Sequence, residues 1–216
     1  DEGEIARKVM EAYKRVGAIL SWSCIPYMAE NIPLYGETVA FSESSATPYV
    51  NSVIGARTNR EAAQSALAAG VIGKTPEYGL HFKENRKGTC LIKVEATLED
   101  EFDYTLLGYY VGKRIGYGIP VLAGISKRPN TEELINFCAM SNVSGAISMF
   151  YVPKFTVEAS NIKEAFQGDT PKEKITVTDL ELKQAYEELQ TTSGKIDFVM
   201  LGCPHYTLKQ VGEVAR

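Results

Sequence analysis

A chain of 216 residues with 44% hydrophobic and 23% charged side chains can bury the core of one large or two small domains. A net charge of -4 and a pI near 5.4, with acids and bases interspersed, exclude the basic surface that nucleic-acid or anionic-membrane binding needs. No window approaches the roughly 18 apolar residues that cross a bilayer, and the charged, amphipathic N-terminus is no signal peptide, so a soluble protein of the cytoplasm is expected.

Ile5, Val9, Tyr13 and Val16 recur at helical spacing, and the run GAILSW that follows reads as a buried strand with Cys24 at its carboxyl end. TVAFSE (38–43) reads as a short strand. Ser44 or Ser45 then caps a helix through about Ile54, and TNREAAQSALAAG (58–70) is an Ala-rich helix ended by Gly70. After a turn-rich stretch, 71–88, the alternation becomes regular. Strands are expected at 88–97, 119–125, 145–152, 174–178 and 195–202; helices at 101–116, 131–142, near 157–167, at 179–192 and from about Tyr206. Strands alternating with helices of this length imply βαβ crossovers. The expected fold class is therefore α/β, with a mostly parallel or mixed sheet covered by helices on both faces.

Two segments are expected, residues 1–87 and 88–216. The start without Met and the end inside a helical pattern read as an excised piece of a longer protein, truncated at both ends. Ligands of such sheets gather beyond the carboxyl ends of strands. Cys24 and Cys203 are both expected there, whereas Cys90, inside a strand, and Cys138, on an apolar helix face, read as small buried hydrophobes. Four widely spaced cysteines resemble no disulfide framework, and a reducing compartment keeps them as thiols.

Around Cys203 the sequence GCPH pairs a permissive glycine with a rigid proline and an imidazole, His205. Its readings are a structural turn, a metal ligand, or a nucleophile paired with His205 or His81. AAGVIGKT (68–75) ends like a phosphate-binding loop, but Ala68 replaces the first glycine and the segment follows a helix, so it reads as a helix cap. The densest polar run, 41–61, holds Glu43, Ser44, Ser45, Asn51, Ser52, Arg57, Thr58, Asn59 and Arg60. Such residues cap helices, with Arg60 free to pair with Glu61 or Glu43. Two arginines on one turn equally make a bidentate clamp for carboxylate or phosphate.

SCIPY (23–27), YGETVAFSESSATPYVNSVIGARTNRE (35–61), GKTPEYGLH (73–81) and GCPH (202–205), in that order, resemble the large-subunit part of the aconitase X family. The resemblance covers essentially the whole chain. It implies an aconitase-like fold and a hydro-lyase that uses an iron-sulfur cluster on a small anionic hydroxy acid, such as cis-3-hydroxyproline or 5-phosphomevalonate. It makes Cys24 and Cys203 two of three cluster ligands, the third lying outside this chain. It assigns Glu43, Ser44, Asn51, Ser52, Arg57, Arg60 and His81 to substrate, with His205 beside a thiolate. It also implies a small swivelling subunit or domain bearing a serine base, without which the fragment is inactive. The competing readings are a non-catalytic α/β binding or structural domain, and a zinc-dependent hydrolase using Cys203 and His205.

Overall fold

The computed structural model describes residues 2–216. Helix α1 (Glu2–Arg15) forms where the apolar spacing predicts, with Glu2 and Glu4 in its first turn and Lys14 and Arg15 in its last, the order that the helix dipole favours. None of its residues is buried. The strand expected at 17–22 does not form, and the segment is irregular and half-buried to exposed. A strand satisfies its backbone only through a neighbour, and among the described residues none pairs here.

The polar run folds around one short helix. Helix α2 (Ala46–Tyr49) continues as a single π-helical turn, Val50–Ile54, which Gly55 ends at φ 79°. A β-carbon at Gly55 would lie 2.6 Å from both Tyr35 and Val157, so glycine is required for space as well as for backbone angle. TVAFSE contributes only an isolated bridge between Thr38 and Arg57. Residues 58–61 are not helical, because Thr58 and Asn59 spend their polar groups on other segments; helix α3 (Ala63–Ile72) starts later, runs through Gly70, and is capped by Gly73.

The second half supplies the sheet. Strands β1 (Cys90–Val94), β2 (Pro120–Ala123) and β3 (Glu173–Val177) are all parallel in the order β2-β1-β3, with Ile92 opposite both Leu122 and Ile175. Helices α4 (Glu101–Ile115), α5 (Thr131–Gly145), α6 (Ile162–Ala165) and α7 (Asp179–Leu189) alternate with them. Asp100, Asn130 and Thr178 cap α4, α5 and α7 through their side-chain oxygens. The segment expected as a strand at 145–152 lies along β2, with the Tyr151 amide donating to Pro120 O at 2.9 Å and the Leu122 amide to Tyr151 O at 2.7 Å.

Side-chain alternation divides the core. Cys90, Ile92 and Val94 face Leu107, Val111, Phe137 and Cys138, whereas Leu91 and Val121 belong with Met149, Tyr151 and Phe166. The first cluster also takes in Tyr27, Phe41, Tyr49 and Val50, so residues on both sides of position 87 share one core. Helices α4 and α5 touch through Gly108, Gly112 and Gly145; a β-carbon at Gly145 would stand 1.9 Å from Gly112 O. One expectation fails clearly here. KIDFVMLG (195–202) is not a strand but an irregular segment that leaves Ile196, Phe198 and Met200 exposed before helix α8 (Leu208–Val214).

Candidate functional site

Neither Cys24 nor Cys203 follows a strand, yet the fold brings their loops together. Pro26 opens a single 3-10 turn, Pro26–Met28, and Tyr27 stacks on Tyr49 with ring centroids 4.3 Å apart. That anchors the Cys24 loop to α2. Ser45 Oγ donates to Cys24 O at 3.4 Å, so Ser45 and not Ser44 touches this loop. From the other end of the chain, the amide of His205 donates to Cys24 Sγ at 3.0 Å and the amide of Cys24 donates to His205 Nδ1 at 3.2 Å. The imidazole of His205 thus contacts the Cys24 loop, 181 positions away in the chain.

Burial pushes the Cys24 thiol up, the His205 amide works against this by favouring the thiolate, and the charges of Glu43 and Cys203 add to the rise. Cys203 is exposed, at φ 87°, and lines a groove of about 550 Å³ with Phe102, Met140, Leu201 and Tyr206. All four cysteines are free thiols. Cys90 and Cys138 are in the core, as expected, and burial raises both pKa values, that of Cys90 to about 11. Among the described residues no group of three or more His, Cys, Asp and Glu side chains is arranged to hold a metal ion.

The residues of the polar run separate into scaffold and surface. Asn51 is fully buried: its Nδ2 donates to Thr58 O and Ser148 O, each at 2.9 Å, and its Oδ1 accepts from Thr58 N and Arg86 Nη1. Ser52 Oγ, also buried, accepts from the Phe150 amide at 2.8 Å. Both hold chain segments together. Glu43 is exposed and Ser44 half-buried. Arg60 is exposed and, among the described residues, pairs with neither Glu61 nor Glu43, its expected partners. Arg57 is half-buried; its Nη1 donates to His81 O at 2.8 Å, which sets it against the 79–82 turn. His81 is buried beneath Tyr78, burial being the main cause that lowers its pKa, and neither ring nitrogen has a hydrogen-bond partner.

Sequence reasoning passed over Arg86, which is 1% exposed and organises this region. It pairs with Glu158 at 2.7 Å and donates to Asn51 Oδ1, Asn51 O, Leu80 O and Ala56 O. Six acceptor oxygens on four residues satisfy its donors, as a buried guanidinium requires. The local sequence KENRKG looks like a solvated turn and carries no signal of this role. Asn59, named with the polar run, holds the His81 turn by donating to Tyr78 O and accepting from the Leu80 amide.

Comparison with known proteins agrees over nearly the whole chain. Residues 1–84 match the family described as the aconitase X first domain, and residues 88–187 match the aconitase X second domain. A phosphomevalonate dehydratase large subunit of Thermococcus kodakarensis is 41% identical over 209 residues, 97% of this chain and 53% of the relative. A cis-3-hydroxy-L-proline dehydratase of Pseudomonas aeruginosa is 34% identical over 217 residues, 99% of this chain and 37% of the relative. The crystal structure of Thermococcus kodakaraensis aconitase X in its holo-form superimposes with a TM-score of 0.89 at 41% identity, covering 98% of this chain and 53% of that one. The chain thus spans about half the length of its large-subunit relatives.

Proposed function

Because this chain belongs to the aconitase X family, we propose that it is part of a hydro-lyase that removes water from a small anionic hydroxy acid. Phosphomevalonate is the first candidate substrate, since the relatives named for it are up to 41% identical, against 34% for those named for cis-3-hydroxy-L-proline.

The observation that carries the reading is the reciprocal pair of hydrogen bonds between Cys24 and His205, which brings two thiols 179 positions apart to one loop cluster. Those thiols fit an iron-sulfur cluster as two of three thiolate ligands. Both are free, one is solvent-accessible, and the other receives an amide N–H that favours the thiolate. The third ligand would come from outside this chain. Bound there, the cluster would supply a Lewis acid that makes the substrate hydroxyl a better leaving group.

The chain's own residues have narrower tasks. His205 holds the Cys24 sulfur in place through its backbone amide, and Arg57 offers a guanidinium N–H to an anionic oxygen. Asn51, Ser52 and Arg86 keep the turn that carries Arg57 in register. The base that removes the proton from the neighbouring carbon would be a serine on a small partner subunit or domain, and the setting would be the cytoplasm, where thiols stay reduced.

Anaerobic reconstitution of the full-length polypeptide with iron and sulfide tests this. A visible chromophore that Cys24→Ser or Cys203→Ser abolishes, with dehydration of phosphomevalonate once the small subunit is present, is the expected result. An unchanged chromophore in both variants would remove these thiols from the cluster, and turnover of cis-3-hydroxy-L-proline alone would move the substrate assignment.

A further inference from the structure

The cluster around His81 contains more unpaired polar atoms than any other part of the described chain. His81 is 7% exposed, and both of its ring nitrogens lack a partner. The same holds for the buried Nε of Arg57 and the buried Oε1 of Glu61. An unsatisfied buried donor or acceptor is destabilising, so four in one place are a structural liability unless something polar binds them.

The three side chains are individually restrained. Arg57 Nη1 is fixed to His81 O, Ser65 Oγ donates to Glu61 Oε2 at 2.6 Å, and Asn59 holds the turn from Tyr78 to Leu80. Arg57 and Glu61 are thus each oriented by one bond and left with a free atom, and the turn that carries His81 is held in place beside them. Among the described residues, Arg57 and Glu61 form no ion pair although both charges act on His81, Glu61 in favour of its protonated form and Arg57 against it. Arg86 and Glu77 are the other charged groups acting on the ring, and they oppose each other in the same way. An arginine and a carboxylate that each keep one open atom, near an imidazole with both nitrogens open, suit a ligand that brings an anionic oxygen for the first and an O–H for the second.

We propose that Arg57, His81 and Glu61 form a subsite for the hydroxy-carboxylate end of the substrate, with Glu61, hitherto without a role, accepting a hydrogen bond from the hydroxyl and Arg57 Nε donating to the carboxylate. His81 can serve either partner, since a neutral imidazole has one donor and one acceptor. This rests on the dehydratase reading and deepens it: phosphomevalonate and cis-3-hydroxyproline differ at one end but share a hydroxyl on the carbon β to a carboxylate. The shared portion is what such a subsite would read.

The test uses full-length polypeptide with 15N-labelled histidine, reconstituted with iron and sulfide and combined with its small subunit so that turnover can be assayed; the His81 ring signals are assigned by their loss in His81→Asn. Phosphomevalonate, cis-3-hydroxy-L-proline, 3-hydroxybutyrate, butyrate and inorganic phosphate are each titrated against wild type and Glu61→Gln, which keeps an acceptor for Ser65. At least one of the hydroxy acids is expected to shift the His81 nitrogens. Glu61→Gln is expected to weaken that binding about tenfold with the melting temperature unchanged, and to erase any preference for 3-hydroxybutyrate over butyrate. Arg57→Lys, which keeps the charge but loses Nε, provides the second variant and is expected to weaken binding similarly. If a hydroxy acid is turned over while the His81 signals stay still, or if Glu61→Gln binds like wild type, the subsite is wrong and the dehydratase reading survives. If neither dehydratase substrate is turned over but 3-hydroxybutyrate moves His81 and butyrate does not, the subsite stands and the dehydratase reading falls. If no ligand moves the ring, the subsite falls.

Discussion

Cys24 and His205 hold each other through two antiparallel hydrogen bonds, His205 N to Cys24 Sγ at 3.0 Å and Cys24 N to His205 Nδ1 at 3.2 Å. The second bond requires His205 Nδ1 to be unprotonated, so a neutral His205 carries its proton on Nε2. The pair closes a loop of 181 residues by sequence separation and sets the relation between the two candidate ligand thiols.

The four cysteines should react in a fixed order. Cys203 is exposed, Cys24 is half-buried with its pKa raised by burial, and Cys90 and Cys138 are buried. Thiolate is the reactive form, so iodoacetamide at neutral pH should label Cys203 first and Cys24 about tenfold or more slowly. Cys90 and Cys138 should react only after denaturation. Peptide mass spectrometry over a time course reads the order; equal rates at Cys24 and Cys203 would contradict the packing of the Cys24 loop.

Arg86→Leu should be severely destabilising. It leaves Glu158 without its cation and takes donors from Asn51, Leu80 and Ala56 at once. Breaking a buried pair by removing one partner costs about 3–5 kcal/mol, and for a chain of this size each kcal/mol lowers the melting temperature by roughly 2–4 °C. Thermal denaturation measures this. The double variant with Glu158→Leu should recover part of the loss, and a change of less than about 1 kcal/mol in Arg86→Leu would refute the assignment.

Gly112→Ala should weaken the α4–α5 contact. The new methyl would lie 2.2 Å from Ser144 Oγ and 2.5 Å from Ser141 O, and backbone cannot yield as a side-chain tip can. Overpacking of this kind costs about 1–3 kcal/mol. Urea unfolding should show the loss. Gly70→Ala, at a position where the added carbon meets nothing within 4 Å, should be neutral or stabilising.

His81 should make stability fall in mild acid. Its folded pKa lies below the ordinary histidine value of about 6.5 because burial disfavours the charged ring. Above that value both states are neutral and the full contribution is present. As pH drops through 6.5 toward the lower folded value, the unfolded chain takes up a proton that the folded chain refuses, and stability declines. Urea midpoints compared between about pH 7.5 and pH 5.5 should fall for wild type and fall less for His81→Asn.

The readable part of this chain was the part whose physics is local. Apolar spacing located α1, α4, α5 and α7 and the three paired strands. The motifs carrying the family resemblance were legible in the same way. GAILSW and KIDFVMLG misled because β-propensity describes what a segment can do beside a partner, and among the described residues neither has one. The TNRE segment misled because the Thr58 and Asn59 side chains bind distant backbone, at Phe41 and Tyr78, instead of propagating a helix.

By itself the sequence determined the α/β alternation, the buried character of Cys90 and Cys138, and two candidate thiols. Only the tertiary structure decided that Cys24 meets His205, that Arg57 leans on the His81 turn, that Asn51 and Ser52 belong to the scaffold, and that Arg86 lies at its centre. Hydrogen bonds across 24 to 181 positions leave no periodic trace along the chain. They arise only after the core has paid the entropy of bringing those segments together.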